Sequence, residues 1–375
     1  MTPFGRTSTT LILVAAGLVG PVVLGGDGDY PSIKFSGFLS AVGGKVLAGT
    51  PQGDSAAFEE GLPLYIADWA NWGIYTKSAS LSPESRFGVQ AVAKFTEDLS
   101  FTGQVTVRGT EHTPQLQWAY LGYKFTPDLE IQVGRKRIPL YYYSDFQDIG
   151  LAYPWISPPA ELYGWEATNY NGANLRYKTS LQGIPVALGL FGGKETVKDD
   201  RYMRSAGQFR TDVSWDKIIG GDVEITRNWL TVRGVYMQTD LTFTDKVDSG
   251  NSYQSKMEAY SLALNADFDQ WFVLSEIAQN ARNYDGYYFH APVFSVGVGA
   301  RFGKWTPFLN YGQYRETCND PAYAPINWKR PSLTLRYDPT PSTAIKLQVD
   351  RYLEYNGTAY TADSTVLRIS FDWVF

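Results

Sequence analysis

The chain ends on the stretch VLRISFDWVF, residues 366–375, in which apolar and polar side chains alternate. The apolar positions are Leu367, Ile369, Phe371, Trp373 and Phe375. The polar or charged positions between them are Arg368, Ser370 and Asp372. A period of two is typical of a β-strand whose two faces meet different environments. The apolar face could point into a soluble core, or it could meet lipid while the polar face lines a watery lumen.

The same alternation recurs along the chain, in 86–95, 99–108, 294–302, 333–337 and 345–350. In each segment one face is apolar and the other carries polar or charged side chains. A β-sandwich accounts for any one of these strands. A soluble domain of this size would usually also contain some helix or continuous apolar strands, and neither is evident. We therefore predict an all-β transmembrane barrel.

The composition excludes several other classes of protein. The chain has 375 residues, a formal charge of −5 and a single cysteine, Cys318, so it cannot hold a disulfide framework within one chain. No segment after the N-terminus has 18 consecutive apolar residues, which excludes helical membrane spans. No part is basic enough to indicate nucleic-acid binding. No Pro-rich or Gly/Ser-rich linker divides the chain into domains.

The N-terminus has the pattern of a secretory signal. MTPFGRTSTT carries one positive side chain, Arg6, and the apolar stretch that follows at 11–24 is too short for a bilayer-spanning helix, which needs ~20 residues. An N-terminal anchor helix is the alternative, but Gly20 and Pro21 interrupt the stretch. We predict a signal peptide at 1–25, cleaved near Gly25, and one barrel domain at 26–375.

Short and long connections alternate between the predicted strands. Seven short turns are rich in Asp, Asn, Gly and Pro, which suit tight hairpins: 96–98, 126–128, 179–185, 225–230, 265–271, 302–307 and 337–344. Eight polar connections are longer: 44–85, 110–114, 138–168, 194–217, 240–255, 281–291, 316–330 and 354–364. Short turns on one side and long loops on the other are typical of outer-membrane barrels.

Fifteen connections give sixteen strands, with both termini on the short-turn side. The last strand then closes the barrel beside the first, Ile33–Gly43. The segment LPLYIADWANWGIYT within 44–85 could form a further hairpin, which would raise the count to eighteen.

In these features the chain resembles the general porins of Gram-negative bacteria. The resemblance rests on the signal, the strand count, the terminal Phe371-x-Trp373-x-Phe375 and the long connection RIPLYYYSDFQDIGLAYPWISPPAELYGWE after the fifth strand. It implies that the loop at about 138–168 folds into the barrel and narrows the pore. It also implies that the terminal aromatic residues are an assembly signal read by the outer-membrane assembly machinery. The barrel would be a homotrimer in contact with outer-membrane lipid and lipopolysaccharide.

The charges in this loop and on the lumen faces have opposite signs. The loop contains four acids and no basic residue between Ile138 and Tyr170: Asp145, Asp148, Glu161 and Glu166. The predicted lumen faces carry basic residues: Arg86, Lys94, Arg108, Arg176, Arg233, Arg301, Arg336, Lys346 and Arg368. An acidic loop facing a basic wall would create a transverse field that favours small hydrophilic solutes and ions. Each basic residue could instead pair with a nearby acid, and some acids could cap the loop's backbone.

Two features leave a narrower selectivity open. Aromatic rings of the loop could stack against sugars, or they could pack the loop against the wall, which we favour: Tyr141, Tyr142, Tyr143, Phe146, Tyr153, Trp155 and Trp165. The basic run Gly134-Arg135-Lys136-Arg137 could attract anions at the mouth, or bind phosphates of the outer-leaflet lipid.

A barrel enzyme or an adhesin is the alternative from a different class. Catalysis would have to use His112 or His290, and no Gly-x-Ser-x-Gly motif surrounds a serine. Neither histidine has neighbours spaced like a metal-binding pair. We predict no catalytic residue, no metal and no cofactor, and we interpret Cys318 as a residue without a functional role. An adhesin would be favoured if the 138–168 loop projected outward and the lumen were plugged.

Overall fold

The computed structural model of the chain describes residues 22–24, 30–50, 63–111, 113–201, 203, 210–246, 251–355 and 363–375. The predicted signal peptide at 1–25 lies almost wholly outside these residues, and so does His112. The short strand Val22–Leu24 pairs with residues 33–35. The signal peptide and the domain boundary at residue 26 therefore stay predictions.

Sixteen antiparallel strands form the wall of the molecule. They are β1 (Ser32–Thr50), β2 (Arg86–Lys94), β3 (Leu99–Arg108), β4 (Gln115–Thr126), β5 (Leu129–Arg137), β6 (Asn169–Leu181), β7 (Ile184–Val197), β8 (Thr211–Arg227), β9 (Leu230–Asp245), β10 (Ser252–Asp267), β11 (Trp271–Asn283), β12 (Tyr288–Ala300), β13 (Trp305–Tyr314), β14 (Trp328–Thr340), β15 (Thr343–Glu354) and β16 (Asp363–Val374). Each pairs with the next along the chain.

The last strand closes the sheet on the first. β16 pairs with β1 along its length, from Val374 opposite Phe38 to Asp363 opposite Thr50. At the seam the Gly37 N–H donates to the Phe375 carbonyl at 2.8 Å, and the Phe375 N–H donates to the Gly37 carbonyl at 3.0 Å. Closure leaves no unpaired sheet edge, which a hydrocarbon environment demands because unsatisfied backbone groups there cost several kcal/mol each. The predicted sixteen-stranded barrel, with its last strand beside the first, is confirmed.

All seven short turns lie where the sequence predicts them, but six of the eight long connections are shorter than predicted. Residues 44–50 belong to β1, 194–197 to β7 and 211–217 to β8. These strand ends lose the apolar alternation, because a strand that continues beyond the lipid meets water on its outer face as well. The polar composition of these strand ends therefore resembles that of a loop, which is why the sequence predicts loops there.

The hairpin hidden in the first long connection is real but does not join the wall. Tyr65–Asp68 pairs with Gly73–Tyr75 in a separate two-stranded sheet. Its side chains are buried inside the barrel mouth, where Tyr65 and Tyr75 pack with Val46 of β1 and Tyr352 of β15. The barrel therefore has sixteen strands and not eighteen.

The predicted faces are confirmed. Large apolar side chains of the alternating strands are exposed on the outside: Phe87, Val89, Phe101, Val105, Val296, Val298, Leu333, Leu335, Ile345, Leu347, Ile369, Phe371 and Trp373. Polar and charged side chains of the same strands are buried inside: Arg86, Thr102, Gln104, Thr106, Arg108, Ser295, Thr334, Lys346, Gln348, Asp350, Arg368, Ser370 and Asp372. The molecule is apolar outside and polar inside along these strands, the reverse of a soluble domain.

One arc of the inner wall departs from this rule. Inward-facing side chains of β8–β12 are apolar and buried: Val213, Trp215, Ile218, Val235, Met237, Leu241, Phe243, Met257, Ala259, Ala278 and Val293. Ile138, Leu140, Tyr141 and Leu162 of the 138–168 loop pack on them. The arc needs no water-facing side chains because the loop covers it.

In the 138–168 loop, helix is limited to two short 3₁₀ turns, Ser144–Phe146 and Gly150–Ala152. Among the described residues no helix has the length and apolar character needed to cross a membrane.

Candidate functional site

The loop at 138–168 is bonded to the inner wall on opposite sides of the barrel. From β9, Arg233 donates to the carbonyls of Tyr141 at 2.8 Å and Pro139 at 2.9 Å. From β15, Lys346 donates to the carbonyls of Gly150 at 2.6 Å and Trp155 at 2.5 Å. The loop therefore crosses the lumen, and the apolar arc and β13–β16 hold it.

Three of the four predicted loop acids are buried in ion pairs with wall arginines. Glu161 accepts from Arg330 Nη2 at 2.7 Å and Nε at 3.0 Å. Glu166 binds Arg282 with both oxygens, at 3.0 and 2.9 Å. Because side chains of these pairs are less than a tenth exposed, the charges are largely shielded from the lumen. We interpret Glu161 and Glu166 as anchors of the loop.

Asp148 lies among three arginines at the beginning of the loop. Its Oδ1 accepts from Arg108 at 2.6 Å, its Oδ2 contacts Arg137, and its backbone carbonyl accepts from Arg86 at 2.7 Å. Burial alone would raise the pKa of Asp148, but Arg108, Arg137 and Arg86 overcome it and lower the pKa to about 2. The carboxylate is therefore ionised at any physiological pH.

This lowered pKa predicts how acid weakens the loop's attachment. A carboxyl with a pKa of about 2 in the folded state, against an ordinary value of 3.8, stabilises the fold fully above about pH 4. That contribution, about 2 kcal/mol, is lost as the pH falls from 4 towards 2. We expect the free energy of unfolding in detergent to fall more over this interval in the native chain than in Asp148→Asn. Equal acid dependence of the two proteins would contradict the assignment.

Asp145 differs from the other three acids. Its side chain is exposed, and it forms no ion pair with any residue that the structure describes. It interacts electrostatically with Lys136 of β5, with Tyr120 of β4 and with Tyr170 of β6. Asp145 therefore faces the β4–β8 arc of the wall, on the side of the lumen away from β13–β16.

The predicted wall arginines divide into three groups: those that bind the loop, those that pair with acids away from it, and one at the short-turn end of the barrel. Arg86, Arg108, Arg233 and Arg336 bind the loop, the last by donating to the carbonyls of Leu151 and Tyr153 at 3.0 and 2.8 Å.

Arg368 pairs with Asp350 and Glu84, both at 2.6 Å, and Arg176 pairs with Asp222 at 2.9 Å. Arg301 lies at the short-turn end, paired with Asp267 at 2.7 Å, and none of its hydrogen bonds reaches the 138–168 loop. Lys94, the last residue of β2, is exposed beside the first short turn.

The sequence did not reveal Arg282 and Arg330 as partners of the loop. Both lie in stretches predicted as loops, 281–291 and 316–330, whereas the structure places Arg282 on β11 and Arg330 on β14. A residue in a loop has no predictable face. Because the predicted loops included these two strand ends, neither arginine could be assigned to the lumen. A longer alternating pattern through Asn280, Arg282, Arg330 and Ser332 would have been the available signal.

The aromatic residues proposed for sugar stacking are mostly packed against one another and the wall. Tyr141, Tyr143, Tyr153 and Trp155 are buried, and Trp155 meets Phe308 of β13 edge to face at 5.2 Å between ring centres. Tyr142, Phe146 and Trp165 are partly exposed. These contacts agree with the interpretation that the rings pack the loop against the barrel wall. Stacking of the rings against sugars stays a prediction.

The basic run 134–137 separates onto different surfaces. Gly134 has a φ of 139°, a conformation that favours glycine, and Arg135 turns to Glu195 at 2.5 Å. Lys136 lies over the Tyr120 ring at 5.0 Å, and Arg137 reaches Asp148. The run therefore supplies one surface pair and two lumen cations.

His290 and Cys318 lie near each other at the long-loop end. His290 contacts the Tyr288 ring, 4.7 Å between centres, and the half-buried Cys318 sulfur accepts from the Asp320 N–H at 3.4 Å. Neither contact is that of a nucleophile with a base.

A closed sixteen-stranded antiparallel barrel whose fifth connection lies inside it has the porin fold of Gram-negative outer membranes. The solved structures that this chain resembles include OmpT, an outer membrane protein of Vibrio cholerae in its trimer form, with a TM-score of 0.58, 12% identity and coverage of 92% of this chain and 100% of that one. An anion-selective porin from Comamonas acidovorans has a TM-score of 0.58 and 12% identity, with coverage of 92% and 99%.

Salmonella typhi OmpF in complex with daunomycin has a TM-score of 0.57 and 13% identity, with coverage of 94% and 100%. No protein-family model matches the sequence, and no curated protein matches it either. At these identities the likeness shows the fold.

Proposed function

We propose that this chain forms a water-filled channel in the outer membrane of a Gram-negative bacterium, through which small hydrophilic solutes and ions diffuse passively. The observation that carries the proposal is the position of the 138–168 loop. It crosses the lumen and is held by buried ion pairs to β11 and β14, so it narrows the barrel without projecting outward. An adhesin with an outward loop is not favoured by this arrangement.

The passage that we propose lies between Asp145 and the β4–β8 arc. Lys136, Arg176 and Asp222 lie on that arc, and Asp145 interacts electrostatically with Lys136. Most of the other predicted charges are used in holding the loop. The transverse field therefore depends on fewer residues than the sequence suggested, with Asp145 as its exposed acidic member.

The partners that we propose follow from the fold. The exposed apolar belt would contact outer-membrane lipid and lipopolysaccharide, and Phe371, Trp373 and Phe375 would be read by the outer-membrane assembly machinery. A homotrimer is proposed because similar solved barrels include a trimer form. We propose no enzymatic activity, since the contacts of His290 and Cys318 are not those of a catalytic pair.

The test is single-channel recording in a planar lipid bilayer, with the reversal potential measured under a salt gradient. We expect open steps in multiples of three, and a shift of selectivity toward anions in Asp145→Asn because that variant removes the exposed negative charge. Asp128→Asn is the matched control: it makes the same charge change at an exposed turn residue and should leave selectivity unchanged.

Two results would contradict the proposal. A bilayer that stays silent although the barrel has inserted would exclude the channel and favour an enzyme or an adhesin. An unchanged reversal potential in Asp145→Asn would exclude Asp145 from the passage.

A further inference from the structure

Three buried arginines converge on Asp148 at the beginning of the inward loop, two on its carboxylate and Arg86 on its backbone carbonyl. Arg86, Arg108 and Arg137 are 6%, 9% and 2% exposed, and all three contact Asp148. They come from β2, β3 and the end of β5, so the wall itself fixes their positions. We call these three side chains the arginine cluster.

The charges in the cluster do not balance. In the described part of the chain, Asp148 is the sole carboxylate that forms an ion pair with any of the three arginines. The acids that also act on Arg86 have their own partners: Glu84 pairs with Arg368, and Asp372 pairs with Lys346. Asp145 acts on Arg137 without pairing with it. Direct contacts leave two positive charges uncompensated where the dielectric is low, and such charge is costly without a counter-ion.

Two of the cluster's donors also lack an acceptor. Arg108 Nε and Arg137 Nη1 are buried and have no hydrogen-bond partner. Arg86 differs, because its donors reach the carbonyls of Asp148 and Glu84 and the hydroxyl of Tyr153. Unpaired guanidinium donors are rare in folded proteins, and their planar geometry matches the oxygens of phosphates and carboxylates.

We propose that the arginine cluster binds a small oxyanion, a phosphate or the carboxylate group of a small solute, beside Asp148 at the unpaired donors Arg108 Nε and Arg137 Nη1. Arg108 retains 9% of its side-chain surface, and the ion would enter from this side. The proposal rests on the channel function only in that the solute reaches the cluster through the lumen. The arginine cluster would then be a binding site that retains anions beside the passage.

Inorganic phosphate is the probe, with thermal unfolding of the purified protein in detergent at pH 7 as the readout. Phosphate is titrated against chloride at matched ionic strength. We expect a saturable rise of the melting temperature in the native chain. Arg108→Gln and Arg137→Gln should each weaken the apparent phosphate affinity about tenfold or more, because each removes one positive charge and an unpaired donor.

Asp148→Asn should have the opposite effect. It removes the one competing carboxylate, so phosphate should bind about tenfold more tightly even though the variant itself is less stable. Arg282→Gln is the matched control, because this buried arginine is balanced by a single partner, Glu166, and its loss should not alter the phosphate effect.

The proposal is overturned if phosphate and chloride stabilise the native chain equally, or if all variants respond to phosphate alike. Weaker phosphate binding in Asp148→Asn would also overturn it. The readout does not involve conduction, so a silent bilayer with phosphate-dependent stability would contradict the channel alone. A conducting protein without phosphate-dependent stability would contradict the anion site alone.

Discussion

Arg330→Met is expected to release the inward loop and to destabilise the barrel by about 3–5 kcal/mol. Arg330 is 2% exposed and bonds Glu161 of the loop, Asp350 of β15 and the hydroxyl of Tyr65 from the first long connection. Removing the guanidinium leaves Glu161 as a buried carboxylate without a counter-charge. That cost is large because desolvation of an ion is no longer offset by its partner.

The loop has little room in which to adjust to this loss. Gly312 of β13 lies against the Glu161 carboxylate so closely that any side chain there would collide with it. Glu161 Oε1 is already buried without a hydrogen-bond partner. We therefore expect the carboxylate to move out toward solvent and to carry the loop with it.

The measurement combines unfolding by heat in detergent with single-channel recording. Arg330→Met should unfold at a lower temperature and should show larger, noisier conductance. The double variant Arg330→Met/Glu161→Leu removes both charges and should recover most of the lost stability. Arg301→Met is the matched control, because its pair with Asp267 is more than a third exposed and should cost only about 0–1 kcal/mol. Equal losses for Arg330→Met and Arg301→Met would refute the anchoring role.

Phe375→Ala is expected to reduce the amount of assembled barrel several-fold while leaving the pore of the assembled fraction unchanged. Phe375 forms two backbone hydrogen bonds with Gly37 at the seam between β16 and β1. Its ring stacks on Phe87 of β2 at 6.2 Å and contacts Trp373 at 4.7 Å. The ring covers Gly37, where a Cβ would strike it, so the side chain and the glycine fit each other.

Leu333→Ala is the control for this variant. Leu333 is an outward side chain of β14, 51% exposed, and it takes no part in closure. Both substitutions remove apolar contact with lipid, but only Phe375→Ala weakens the seam and the proposed assembly signal. Assembly is measured as the folded fraction in outer membranes, and the pore as single-channel conductance. Similar assembly of the two variants would remove the special role of Phe375.

The strand count could be predicted from the sequence because it depends on local chemistry. Alternation of side chains such as Leu333, Thr334 and Leu335 follows from the two faces of a strand, and the turns at 96–98 and 126–128 need residues that bend the chain. The terminal Phe371-x-Trp373-x-Phe375 likewise showed its lipid face directly. Sidedness and closure followed because lipid tolerates neither charges outside nor unpaired edges.

The use of each charge inside the barrel depended on the three-dimensional arrangement. Asp145 and Asp148 are three residues apart and identical in type, yet one is exposed and the other is enclosed by three arginines. Glu161 and Arg330 are far apart in sequence, and no local pattern relates them. The apolar arc of β8–β12 contradicts the polar-inside pattern because the loop covers it. Heights along the pore, and which charges meet, are set by strand stagger and loop path, and a period-two pattern carries no information on either.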